Sequence, residues 1–251
     1  MKKMIVLNGA RGEDADARGG SIPSSSSRAT PRDDATLPNG VAVKDALYPA
    51  ANIKMEWPEA RKIGAGLANL GNTCFMNAVM QCLTHTPPLA QFCLAGEHRK
   101  YKPKPRRDAD GDADGGGGSG GSGGSFSALY EMGEHVSRAL GREGRRHTIA
   151  PATFVKNLRA LSKTFRKGRQ EDAHEFARCL LDAMHKRCVD AARPKPKEGS
   201  ARSETSFVWQ VFGGRLRSRV ACKTCGKMRC VLYKRISPIA RFQHLIASPF
   251  N

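Results

Sequence analysis

Residues 66–83 read GLANLGNTCFMNAVMQCL, a glycine- and asparagine-rich turn that runs into an apolar stretch, with Cys74 at the junction. Asn72 or Thr73 is placed to cap a helix there, because their side-chain oxygens accept from its unpaired N–H groups. Phe75, Ala78, Val79, Cys82 and Leu83 recur at helical spacing, which predicts one buried face. Cys74 then falls in the first turn, where free N–H groups and the helix dipole favour thiolate over thiol. A thiolate that attacks an acyl bond also needs a base for the proton and donors for the oxyanion that forms. Asn69, upstream on the turn, can aim its amide at that oxyanion beside the backbone N–H of Cys74, with Gly66 and Gly71 letting the turn close. The alternative for any unpaired cysteine is a small buried hydrophobe.

The whole string resembles the cysteine box of the ubiquitin-specific proteases almost residue for residue. The resemblance implies that Cys74 is the nucleophile and that Asn69 supports the oxyanion. Further on, QEDAHEFARCLLDAMHKRC at 170–188 puts Ala173, Phe176, Ala177, Leu180, Leu181, Met184 and Cys188 on one stripe, the pattern of a well-formed helix. Asp182 and Lys186 stand four apart on its exposed side. Its start, Gln170, Asp172, Glu175 and Phe176, is similar to the second hallmark of the same family, Q-x-D-x-x-E-F. On physical grounds it is a carboxylate at a helix N-terminus, either bound to a basic ligand or complementing the dipole. The resemblance assigns Gln170, Asp172 and Glu175 to the basic C-terminal tail of ubiquitin, with Asp172 central. His174 and His185 lie on this helix, where surface roles are expected, and the family takes no histidine from it.

A third match is F-x-G-x-x-x-S-x-x-x-C-x-x-C-G at the end of FVWQVFGGRLRSRVACKTCG. A helical turn (Val208, Val211, Phe212), a glycine pair and an alternating strand (Leu216, Ser218, Val220) lead to Cys222 and Cys225, a knuckle that presents two thiolates to one zinc. The resemblance places them at the entry to a zinc-stapled β-region, the fingers. Tetrahedral zinc needs four ligands, so Cys222 and Cys225 are half of a structural site, with only Cys230 and His244 left downstream. Catalysis itself calls for no cofactor. Nothing after Cys225 resembles the family's box of glycine, histidine and tyrosine, which carries the catalytic base, and the pattern fades from about Met228.

Between these motifs the chain reads as short helices. Thr86-Pro87-Pro88 ends the cysteine helix and residues 89–94 form another. Phe126, Leu129, Met132, Gly133, Val136 and Leu140 share a face up to Gly141. Phe154, Val155, Leu158 and Leu161 share the next, which residues 165–168 close. Residues 191–205 are polar and basic, an exposed loop.

The 251 residues carry 42 Lys and Arg against 23 Asp and Glu, formally +19, which invites acidic partners, nucleic acid or nuclear import, the alternative being a solvated basic surface with disordered basic tails. HRKYKPKPRR at 98–107 is the densest basic cluster, with Tyr101 offered for base stacking; its alternative is a solvated loop into the glycine-rich run ending at Ser125. Eight cysteines, several on apolar helical faces, suit reduced thiols in the cytoplasm or nucleus. No run has the length to cross a membrane, and the N-terminus lacks a signal-peptide core. Residues 1–40 hold too little apolar surface to offset ordering, while Leu47, Tyr48, Ile53 and Trp57 are suited to pack on a domain edge.

The reading is an α+β, papain-like cysteine peptidase, mainly its helical thumb lobe with the start of the β fingers and most of the palm sheet missing. Residues 1–56 form a disordered basic region, 57–228 a partial catalytic domain with an insertion at about 100–125, and 229–251 a divergent tail. The expected function is deubiquitination, acting on ubiquitin and ubiquitinated proteins with weak turnover in these residues alone. The alternative is a non-catalytic ubiquitin- or partner-binding fragment.

Overall fold

The computed structural model describes residues 3–7, 41–60, 63–103, 126–141, 147–221, 225 and 228–236. Along the chain run β1 (Lys3–Leu7), α1 (Cys74–Thr84), α2 (Pro87–Leu94), α3 (Ala128–Leu140), α4 (Ala152–Lys156), α5 (Leu158–Leu161), α6 (Ala173–Ala191), α7 (Phe207–Phe212), β2 (Gly213–Ala221) and β3 (Met228–Ile236). The strands form one antiparallel sheet ordered β1-β2-β3, with Leu216 opposite Val6 on one side and Tyr233 on the other.

Helix α6 is the axis of the core. Phe176, Leu180, Leu181 and Met184 on it are fully buried, and each such side chain contributes about 1.5–3 kcal/mol of transfer free energy. Phe75 of α1 meets Phe176 edge-on at 5.6 Å, which seats the cysteine helix against α6. The buried face of α1 is Phe75, Met76, Met80, Leu83 and Thr84; Ala78 and Cys82, expected on it, are exposed. On the other side of α6, Phe92 of α2 and Phe207 of α7 stack at 4.0 Å. Tyr48 stands edge-on to both, so the core includes a residue ahead of position 57.

Several expectations change here. Residues 1–56 were read as one region without order, yet Lys3–Leu7 pairs with β2, and Tyr48 is fastened by its N–H to the Thr205 carbonyl at 3.2 Å. The helix expected across 152–161 breaks at Asn157, whose side-chain amide donates to the Thr153 carbonyl at 2.8 Å, leaving α4 and α5. In the stretch taken as an exposed loop, Ser203, Glu204 and Thr205 are buried. They fold into a 3-10 turn that receives the N–H groups of Leu47 and Tyr48.

The basic cluster also divides. Residues Glu97–Tyr101 make a 3-10 turn with His98 and Tyr101 buried, and His98 bonds Glu134 of α3 at 2.9 Å. Gly133 is what lets that ring approach α3, since a Cβ there would lie 2.1 Å from it. Tyr101 packs near Phe92 and its carbonyl accepts from Arg187 at 3.1 Å, so its ring is not presented for base stacking. Among the described residues, no helix is long and apolar enough to cross a membrane.

Candidate active site

The turn before α1 is wound around one side chain. The Asn69 carbonyl oxygen Oδ1 accepts from the N–H of Gly71, the N–H of Thr73 and the Thr73 hydroxyl, each at 3.1 Å. This Asx-type closure requires left-handed backbone at Gly71 (φ 90°) and Asn72 (φ 52°), conformations that glycine and asparagine adopt most readily. Gly66, by contrast, has no such requirement. Thr73 occupies the N-cap position, but its hydroxyl is turned back into the loop and accepts from the Leu70 N–H at 3.0 Å rather than capping α1. From the helix side, Asn77 donates to the Ala68 carbonyl at 3.0 Å and Gln81 to that of Ala65 at 2.9 Å. From outside, the Ala68 N–H donates to Ile149 and the Ile149 N–H donates to Gly66.

Cys74 emerges from this frame exposed, as the first residue of α1. Asn69 spends its oxygen on the turn, and its NH2 group has no hydrogen-bond partner among the described residues. The loop before α6 completes the arrangement. Asn72 donates from Nδ2 to the Gly168 carbonyl at 2.9 Å, and Gln170 donates from Nε2 to Cys74 Sγ at 3.3 Å. Two motifs separated by 96 positions thus meet at one thiol. The pattern of Gln170 names it as a tail contact; the structure places it on the sulfur.

The carboxylates of the second motif take different posts. Asp172 is the N-cap of α6 and accepts from the Glu175 N–H at 2.7 Å with one oxygen, its side chain otherwise in solvent. Glu175 pairs with Arg178 through both its oxygens, which holds its carboxyl below the usual range. Asp182 also meets Arg178, at 3.2 Å. His174 is exposed, and His185, expected on the surface, is half-buried, its Nδ1 bonded to the Ser206 hydroxyl at 2.7 Å and its ring beside Trp209. Among the described residues no histidine reaches Cys74. Cys222 lies outside the described residues; Cys225 is exposed on the turn between β2 and β3, and no metal-binding group occurs among the described residues.

The family model for ubiquitin carboxyl-terminal hydrolase matches residues 65–246, the span that holds this whole arrangement. The chain belongs to the ubiquitin carboxyl-terminal hydrolases. It is 38% identical over 206 residues to human ubiquitin carboxyl-terminal hydrolase 42, covering 82% of this chain and 14% of that protein. Ubiquitin carboxyl-terminal hydrolase 23 of Arabidopsis thaliana is 42% identical over 165 residues, 66% of this chain and 16% of that one. Human ubiquitin carboxyl-terminal hydrolase 17-like protein 6 is 35% identical over 180 residues, 71% of this chain and 37% of that one. The chain therefore spans well under half the length of each. Membership implies a papain-like cysteine peptidase fold, here helix-rich with little strand, and a thiol chemistry that needs no cofactor.

Proposed function

We propose that this chain carries the nucleophile of a deubiquitinase. The observation that supports it best is the exposed Cys74 sulfur at a helix start, contacted by the Gln170 amide and preceded by the turn that Asn69 closes. The sulfur attacks the carbonyl after the terminal glycine of ubiquitin, forming a C–S bond. Negative charge moves to the carbonyl oxygen, which the Asn69 amide and the Cys74 N–H receive. Collapse breaks the C–N bond, the amine leaves with a proton taken from solvent water, and a second water hydrolyses the thioester, freeing the glycine carboxylate and returning the thiol. Asp172 turns its second oxygen to a basic residue of the arriving tail, and Gln170 exchanges its bond to the sulfur for one to the tail backbone. Glu175 acts less directly in this reading, since Arg178 already occupies it.

Turnover is slow in this reading, because among the described residues no histidine stands beside the thiol. Cys222 and Cys225 supply half of a structural zinc site. The working compartment is the cytoplasm, the nucleus or both. A ubiquitin derivative with a thiol-reactive C-terminus labels the chain at Cys74, and labelling is absent in Cys74→Ala; labelling that persists in that variant removes Cys74 as nucleophile. The lack of a histidine at Cys74 among the described residues favours a second reading, a module that binds ubiquitin without cleaving it. Saturable binding of ubiquitin with no labelling would establish that one.

A further inference from the structure

We infer that the loop running into the second motif is a docking surface for an acidic polypeptide segment of the protein from which ubiquitin is removed. This rests on the proposed function for its setting. Residues 159–169 contain Arg159, Lys163, Arg166, Lys167 and Arg169 and no acidic residue. All five side chains are exposed, and none forms an ion pair among the described residues. The nearest carboxylate, Glu171, accepts from the backbone N–H of Arg166 at 3.1 Å and so fastens the loop.

The loop is held rather than trailing. Phe165, 1% exposed, anchors it in the core with its ring 6.0 Å from Phe176. Its far end is tied to the cysteine turn by the Asn72 bond to Gly168, and the next residue but one, Gln170, touches the sulfur. Five like charges kept together at the edge of a nucleophile, with no ion-pair partner among the described residues, form a field that attracts an acidic chain to that edge. A conjugate has two halves, and the site offers two charges: the free edge of Asp172 suits a basic segment, the loop an acidic one. Nucleic acid is the weaker match. The one aromatic residue of the loop is buried, as is Tyr101, so neither ring is presented for stacking.

The test uses the full chain and a fluorescent peptide of alternating Asp and Gly, with single-stranded RNA of equal charge as comparison. Anisotropy titrations are run at about 50 mM and about 300 mM salt, since exposed charge pairs weaken on screening. The peptide binds more tightly than the RNA. Arg166→Ala, Lys167→Ala and Arg169→Ala together weaken it roughly tenfold. Lys54→Ala, Arg99→Ala and Lys186→Ala remove the same charge elsewhere and leave affinity within about twofold. Tighter binding of RNA, no peptide binding, or equal losses in the two triple variants would overturn the inference. Circular dichroism confirms that both variants are folded. A chain first labelled at Cys74 with ubiquitin retains the peptide; loss of binding there would give the loop to ubiquitin itself. If labelling fails while peptide binding follows the loop charges, the nucleophile reading falls and the surface stands.

Discussion

The turns at residues 69–73 and 203–206 are made of the same materials and end in opposite places. Each is a short polar run closed by side-chain bonds to backbone N–H groups. In the first, Asn69 gathers three donors and, with Leu70, Gly71 and Asn72, remains in solvent. In the second, Thr205 accepts from the Leu47 N–H at 2.9 Å and donates to the Arg202 carbonyl at 2.7 Å, all of it in the core. The difference lies in what each presents. Asn69 satisfies the turn with its oxygen and has an NH2 group left over, so the turn can act on a ligand. Thr205 has nothing left over, so its turn only fastens chain to chain. One polar knot is a tool and the other a clasp.

Separating the two by mutation should give opposite results. Asn69→Ala removes the proposed oxyanion donor, so acylation of Cys74 by a ubiquitin C-terminal thioester should slow by about 100-fold or more. A thioester is the right acyl donor because its leaving group needs no general acid. The stability cost should be only about 1 kcal/mol, since the exposed turn N–H groups turn to water. Equal rates for Asn69→Ala and the parent would show that the amide points away from the reaction.

Thr205→Val keeps the shape but leaves the Leu47 N–H without its acceptor. Stability should fall by about 1–3 kcal/mol, read from urea unfolding, with the acylation rate per folded molecule unchanged. A change in rate without a change in stability would reverse the roles assigned to the two turns.

The same contrast explains what could be read from the sequence. The 69–74 turn was legible because its chemistry is local: the bonds span at most four positions, and glycine and asparagine stand where left-handed backbone is needed. The α6 stripe was legible because periodicity records which face is buried. The clasp was not, since Thr205 meets Leu47 across 158 positions, and SET in a polar stretch carries no local sign of burial. Tyr101 misleads for the same reason: six neighbouring Lys and Arg residues announce a surface, while its ring follows Phe92 into the core. The meeting of Gln170 with Cys74 depends on how α1 and α6 pack, and spacing does not encode it.

His135 shows what a buried polar group costs when it has neither turn's arrangement, and it yields the smallest of these effects. It is 1% exposed on α3, and neither ring nitrogen has a hydrogen-bond partner. Burial, with Arg138 nearby adding to it, pushes its pKa down to about 4. In the unfolded chain the imidazole takes a proton near 6.5, so below that pH the unfolded state binds more protons than the folded one. Stability is therefore undiminished above about 6.5 and is lost as pH falls through the window down to about 4. Glu131, one turn earlier, has its carboxyl raised by burial and works in the opposite sense at the lower end of that window. Comparing His135→Leu with the parent isolates the histidine, because Glu131 is common to both. The variant should lose less stability between pH 7 and pH 5 than the parent does, by about 1–2 kcal/mol in urea unfolding. Parallel pH profiles would mean that the ring finds a partner on protonation.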